Sequence, residues 1–474
     1  MKTKMVLFRH TFHVLGIMCC LLLISTTVIF AISGLNSGNI KNAKQQPAAA
    51  SSFENSTQNN TLPDIKDKQS SDSNNVSEES TSVDESSLNS TDSNDNSLSD
   101  KPGQGINQHE GNSPDNSAGV TPPANEPPEP QTVTISAVGD IMLHQSNLQS
   151  AYNPKNKSYD FNSFFEYVKP YLTSSDLTIG NFETVTAGSS IGYKSFPLFN
   201  TPDSILTTLS KSGFDILSTA NNHCLDWGIN GLTRTIQKIR ENKMCNIGSS
   251  MNGQDKYTVR DVKGIKIAFL NYSQFFNGHD LKLSSSDRTK YLSILDEKQI
   301  QNDIKSVKSK GAEAVIAVVH WGNEYQRTPS TFQTDLSKKM LSWGADIILG
   351  SHPHVIQKSE IVKVNGKDKF IIYSMGNFIS GYRRTDKAAR PNKQFTEDGV
   401  IVRLRLIKSP DGGVSIKEVN YLPTWVDKYS GKSGTVFKIL PIPSPDVEAP
   451  YINSRNKAFI KQSYNNTMSI MYKK

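Results

Sequence analysis

From residue 131 onward, short apolar runs alternate with longer amphipathic stretches. "TVTISAVGD" (132–140), "LTIGNFE" (177–183), "ILSTAN" (216–221), "IKIAFLNYS" (265–273), "AVIAVVHW" (314–321), "DIILGSHPH" (346–354) and "FIIYSMGNF" (370–378) are each too short and too apolar for surface helices, and they read as strands. Between them, "GLTRTIQKIRENK" and "TDLSKKMLSWG" space their apolar residues three and four apart, which predicts helices. Near-continuous apolar strands alternating with helices indicate an α/β domain whose sheets are covered on their faces. Further on, "GVIVRLRLI" and "VSIKEVNYLPTWV" alternate with period two, as half-exposed antiparallel strands do. The pattern places one domain over residues 131–427. It fades beyond Lys428, so residues 428–474 are set apart as a C-terminal extension, read as mobile.

Upstream the pattern changes twice. Val14 to Ile32, "VLGIMCCLLLISTTVIFAI", is an uncharged and mostly apolar run long enough to cross a bilayer as a helix. Lys2, Lys4 and Arg9 precede it, which predicts a cytoplasmic N-terminus and an exported remainder. Residues 1–35 are therefore expected to be a cytoplasmic tip and a single-pass signal-anchor, with cleavage after a signal peptide as the alternative. Residues 36–130 are Ser, Asn, Asp, Gln and Pro with few apolar side chains, a composition that cannot offset chain entropy by burial and predicts a disordered linker.

Charge follows the same division. Residues 36–130 hold 15 acidic side chains against 5 lysines. The whole-chain charge of +7 therefore leaves +14 on residues 131–474 once the three N-terminal cations are set aside. A basic domain on an acidic tether suits a membrane surface or an anionic polymer. No basic run interleaved with aromatics supports nucleic acid as a partner. Cys19 and Cys20 lie in the apolar run. Cys224 and Cys245 lie in the domain, where a pair or two thiols are both compatible with export.

Five of the nine histidines, His144, His223, His320, His352 and His354, fall at or just past the C-terminal end of an expected strand. Asp140, Asn181, Glu183, Asn221, Asn222, Asp226 and Glu324 keep them company. In α/β folds those strand ends converge on the ligand crevice, and a mixed set of Asp, Glu, Asn and His suits Zn, Mn or Fe. Taken singly, each residue has a plain structural reading, as a cap, a turn residue or a hydrogen-bonded histidine. "SHPH" adds two histidines around Pro353, whose ring favours an extended segment that projects both to one side.

The run "GDIML", "NFE", "ANNH", "HWG", "SHPHV" and "YSMGNF", in this order, resembles the CapA family of poly-γ-glutamate capsule biosynthesis proteins, related to calcineurin-like metallophosphoesterases. The resemblance implies a four-layer sandwich of two mixed sheets flanked by helices, with two divalent metal ions. It implies Asp140 and His354 at the first metal, Glu183 bridging, and Asn222, His320 and His352 at the second. His223 falls where related phosphatases keep a general acid. His144, Asn181, Asn221, Asp226 and Glu324 are further candidates. The chain departs from the phosphatase pattern in placing its first histidine four residues beyond Asp140, in using Glu183 to bridge, and in reading Asn-Asn-His.

The resemblance points to a role in synthesis or export of poly-γ-glutamate at the cell membrane, alongside a membrane-bound synthase complex, with the folded domain outside the cytoplasm. Two alternatives are carried with it. One is a metal-dependent hydrolase of a phosphoester or another cell-envelope substrate. The other is a non-catalytic module that binds an anionic polymer.

Overall fold

The computed structural model describes residues 130–254, 256–432 and 434–472. The expected anchor over residues 1–35 and nearly all of the expected linker lie outside the described residues. Among the described residues, no helix is long and apolar enough to cross a membrane.

The strands are β1 (Gln131–Ile141), β2 (Tyr152–Asn153), β3 (Ser158–Tyr159), β4 (Leu177–Phe182), β5 (Ile216–Ser218), β6 (Cys245–Ile247), β7 (Thr258–Val262) and β8 (Ile265–Ser273). They continue with β9 (Ala314–His320), β10 (Ile347–Ser351), β11 (Ser359–Val364), β12 (Lys367–Ile372), β13 (Asn377–Ile379), β14 (Asp398–Lys408), β15 (Val414–Gly431) and β16 (Gly434–Pro441). The first sheet runs β16-β15-β14-β1-β4-β5-β6, with β13 also paired to β1. The second runs β11-β12-β10-β9-β8-β7, and β2 and β3 form a separate hairpin. Both large sheets are mixed. β1, β4, β5 and β6 are parallel, as are β8, β9, β10 and β12, while the flanking strands are antiparallel.

The central strands look uniformly apolar because each feeds two cores. Ile265, Ile267 and Phe269 of β8 and Ile316 and Val318 of β9 pack against Val133, Ile135 and Ala137 of β1, filling the space between the sheets. The alternate residues Ala268, Leu270, Val315 and Val319 face outward onto Ile300 and Ile304 of helix Glu297–Ser309 and onto Leu336 and Met340 of helix Thr331–Trp343. Behind the first sheet, Val138, Ile141 and Leu217 pack on Phe165, Leu172, Ile205 and Leu209. Helices, sheet, sheet and helices thus stack in four layers. Each fully buried Ile, Leu or Phe contributes about 1.5–3 kcal/mol to holding the two sheets together.

Two glycines allow close backbone approach near the strand ends. A Cβ on Gly139 would stand 1.9 Å from the Gly376 carbonyl, and one on Gly350 would stand 1.9 Å from that of Tyr373. The Asp140 N–H donates to that Gly376 carbonyl at 2.9 Å, so the close approach at Gly139 also places Asp140.

Three expectations need correction. "FIIYSMGNF" is two strands: β12 belongs to the second sheet, whereas β13 pairs with β1 in the first. The chain crosses between the sheets through Ser374, Met375 and Gly376. "SHPH" is not extended. β10 ends at Ser351, and His352 and His354 take φ values of +97° and +56°. Residues beyond Lys428 are continuous with the domain, completing β15, adding β16 at the sheet edge and ending in helix Lys457–Met468. That helix seats Ile460 against Trp425 and Leu440. Cys224 and Cys245 form no disulfide, and burial pushes the Cys224 thiol up to about 12.

Candidate metal centre

The strand ends of both sheets meet at one edge of the sandwich. Register aligns them: His320 pairs with Ser351 on one side and Ser273 on the other, while Asp140 pairs with Asn181. Across the gap, the Ala220 N–H donates to Asn271 Oδ1 at 2.8 Å and ties the loop after β5 to β8. The first sheet supplies Asp140, Glu183, Asn222 and His223. The second supplies His320, His352 and His354.

Six of these side chains converge. Asp140, Glu183 and His354 offer ligand atoms all within 4.8 Å of one another, and so do Glu183, His320 and His352. Asn222 Oδ1 lies 3.0 Å from His320 Nε2 and joins the second set. Glu183 Oε1 is shared, 3.7 Å from His320 Nε2 and 3.8 Å from His354 Nε2. Glu324, on the exposed rim, forms a third set with His352 and His354.

The surrounding bonds orient these groups. Asn181 Nδ2 donates to Asp140 Oδ1 at 2.8 Å, and its Oδ1 accepts from Ser218 Oγ at 3.1 Å. Asn221 Nδ2 donates to the Phe182 carbonyl at 2.9 Å while its Oδ1 accepts from the His223 N–H at 3.1 Å. Asn181 and Asn221 therefore position neighbours. The Tyr325 N–H donates to the Pro353 carbonyl at 2.7 Å, and Asn377 Nδ2 donates to the His354 carbonyl at 3.2 Å. These bonds hold a loop whose two left-handed histidines carry backbone strain of about 1–3 kcal/mol each. His223 belongs to none of the three ligand sets. Its Nδ1 lies 2.9 Å from Asp226 Oδ2, and its ring packs edge-on against Phe199.

His144 is not part of any of these ligand sets. Its Nδ1 accepts from the Gly381 N–H at 3.0 Å, which leaves the proton on Nε2, a buried atom with no hydrogen-bond partner. Burial, reinforced by His354 and His223, holds its pKa down to about 3.

The electrostatics suit a cation. Burial and the charges of Asp140 and Glu324 raise Glu183 well above the usual carboxylate range. Burial and the neighbouring imidazoles drive His320 well below its usual value, and His352 is lowered to about 4 by burial and by His354. Burial opposes protonation of His354 too, but its bond to Asp140 outweighs that and raises its pKa. Glu183 Oε1 and His352 Nδ1 are buried without a hydrogen-bond partner. Buried polar atoms are normally paired, and a divalent cation would satisfy both while reversing the carboxylate repulsion. The donors fit such an ion.

Beside the cluster lies an open cleft of about 460 Å³, lined among others by Asn222, Phe275, Asn277, Leu281, Glu324 and His352. Aromatic rings lie against the histidines. Phe275 lies 5.0 Å from His352 between centroids, and Tyr382 lies 5.5 Å from His354. Nothing in the sequence pattern flags Phe275, Tyr325 or Tyr382, whereas Asn377 sits inside the quoted "YSMGNF".

Comparison with known proteins identifies the family of the chain. A family described as bacterial capsule synthesis protein PGA_cap matches residues 134–382, more than half of the chain. Capsule biosynthesis protein CapA of Bacillus anthracis is 30% identical over 285 residues, which span 58% of this chain and 66% of that protein, just short of two thirds of its length. PGA biosynthesis protein CapA of Bacillus subtilis (strain 168) is 28% identical over 319 residues, covering 65% of this chain and 77% of that one. Among solved structures, the calcineurin-like phosphoesterase YfkN from Bacillus subtilis matches with a TM-score of 0.40 and 14% identity, over 72% of this chain and 99% of that one. With the motifs from "GDIML" to "YSMGNF" lying inside the matched residues, the chain belongs to the bacterial capsule synthesis protein family PGA_cap.

Proposed function

We propose that this protein is a membrane-anchored, extracytoplasmic component of poly-γ-glutamate synthesis or export, and that its domain carries a two-metal, phosphoesterase-like centre. The observation that carries the second part is the sharing of Glu183 between two ligand sets, each with a histidine from the opposite sheet. Asp140, Glu183 and His354 would hold one divalent ion; Glu183, Asn222, His320 and His352 would hold the other. Mn, Zn and Fe all suit these nitrogen and oxygen donors. When bound, the ions supply Lewis acidity toward a phosphoryl or related oxygen.

The chain's own residues supply the rest. Asp226, itself held by the Phe199 N–H at 2.7 Å, accepts from His223 Nδ1–H and so aims Nε2 away from the loop. In its protonated form His223 presents that Nε2 proton to a leaving oxygen. Phe275 and Tyr382 cover the histidine rings and limit water around them. The apolar run 14–32, the acidic tether and the basic domain support the membrane location and an anionic polymer as partner.

The His223–Asp226 pair also favours the second reading, hydrolysis of a phosphoester unrelated to polyglutamate. A phosphodiester reporter, assayed with the full chain in detergent with added Mn²⁺ or Zn²⁺, tests the centre. Turnover that drops by roughly 10²–10⁴-fold in His223→Ala supports catalysis. Absence of turnover in the metal-loaded wild type would leave the domain a binding module.

A further inference from the structure

A second polar pocket, of about 330 Å³, lies between the segment 383–386 and the strands β15 and β16. Its charges do not balance. Two carboxylates line it, Asp386 and Glu397, and these and Asp427, next in the chain to Lys428, each already have a guanidinium: Asp386 pairs with Arg390, Glu397 with Arg384, and Asp427 with Arg455. Two cations remain. Arg383 and Lys428 both line the pocket and both lie against the Phe437 ring, at 4.8 and 5.5 Å from its centroid. Among the described residues, neither side-chain charge forms an ion pair with a carboxylate within 4.0 Å, although the Arg383 backbone N–H donates to Asp386 Oδ2 at 3.0 Å.

The Arg383 side chain is specific in what it leaves open. The residue is only 7% exposed, and its Nη1 donates to the Tyr382 carbonyl at 2.6 Å. Its Nε and Nη2, the two donors along one edge of the guanidinium, are buried and have no hydrogen-bond partner. That edge matches the two oxygens of a carboxylate in a side-on bidentate pair. A buried guanidinium edge without acceptors is costly, and the acids nearest to it, Glu397, Asp386 and Asp427, are already paired with other arginines. Burial lowers Arg383 to about 10 against the pull of Glu397, Asp386 and Asp427, and Lys428 is lowered by burial and by Arg383, which outweigh Asp386. An anion between them would relieve both.

We propose that this pocket is a second binding site, separate from the candidate metal centre, in which Arg383 grips a carboxylate through its Nε–Nη2 edge and Lys428 supplies the second charge. Thr385, Ser430 and Thr435 offer hydroxyls at its wall. The natural ligand is a side-chain carboxylate of an anionic polymer passing across the domain. The choice of a polymer rests on the capsule-polymer reading above, whereas the carboxylate site rests on the pocket alone.

The test uses the full chain in detergent, with glutarate and a γ-linked glutamate oligomer as probes and calorimetry as the readout. Lys428→Ser removes an exposed charge and Arg383→Lys keeps the charge but removes the fork. Each is expected to weaken both probes by about tenfold or more with metal content unchanged, and Lys428→Ser also leaves the unfolding midpoint unchanged. Wild-type affinity for glutarate in both variants overturns the site. Loss of glutarate binding with oligomer binding unchanged, or with none in the wild type, supports the site and contradicts the polymer assignment. Inorganic phosphate binding more tightly than glutarate in the wild type overturns the carboxylate assignment.

Discussion

Replacing Glu183 by Gln should stabilise the metal-free protein while destroying its response to metal. In the fold, Glu183 is fully buried, its Oε1 has no hydrogen-bond partner, and the charge of Asp140 is close by. A buried acceptor left unpaired costs about 1–3 kcal/mol. The amide keeps the shape and removes the charge. The sign follows from the raised pKa of Glu183: the folded state holds its proton to higher pH than the unfolded chain does. Wild-type stability from this group is therefore full below the usual carboxylate range and lost as pH rises through the raised value. Gln mimics the protonated form at every pH. In EDTA at about pH 8, Glu183→Gln should thus exceed the wild type by about 1–3 kcal/mol in urea unfolding, and the gap should narrow toward pH 5. Added Mn²⁺ or Zn²⁺ should reverse the order, since binding at 100 times Kd stabilises the wild type by about 2.7 kcal/mol. A variant less stable than wild type in EDTA at pH 8, or one that gains as much from metal, would refute the reasoning.

Two further outcomes test the frame around the centre. Asp398 in β14 accepts from Asn466 Nδ2 of the C-terminal helix at 2.9 Å, and burial pushes it up to about 7 from an ordinary 3.8. That difference, about 3 at about 1.4 kcal/mol each, is about 4 kcal/mol of stability held below pH ~4 and lost as pH rises to ~7. Asp398→Asn should flatten this part of the urea-unfolding profile, and an unchanged slope would count against it. Gly139→Ala drives a Cβ to 1.9 Å from the Gly376 carbonyl and should cost about 3 kcal/mol while shifting Asp140. The variant should lose metal affinity as well as stability, and wild-type values for both would contradict the proposed contact.

Much of this was legible because the chemistry-bearing residues sit where local pattern ends. β8 spans the expected 265–273 without change, and β1, β4 and β9 start and stop within two residues of the pattern. Their C-terminal residues Asp140, Glu183 and His320 then needed no long-range information to be placed at one edge. What escaped was set by distant contacts. The crossing at Ser374–Gly376 is invisible to periodicity because β12 and β13 are both apolar and adjacent. The left-handed turns at His352 and His354 depend on bonds from Tyr325 and Asn377, not on Pro353. The tail beyond Lys428 lacked a strong pattern because β16 is an edge strand and helix Lys457–Met468 packs through few apolar residues. His144 joined the candidates by its place after "GDIML", yet its Nδ1 accepts from the Gly381 N–H and so is taken up as a hydrogen-bond acceptor.

The most direct test of the central claim is metal content. The full chain, purified in detergent and reconstituted with Mn²⁺, Zn²⁺ or Fe²⁺, would be measured by mass spectrometry beside His352→Ala. The account predicts two divalent ions per wild-type chain and a loss of at least one in the variant, with folding retained. A wild-type chain that binds no metal after reconstitution, or a variant that binds as much, would contradict it.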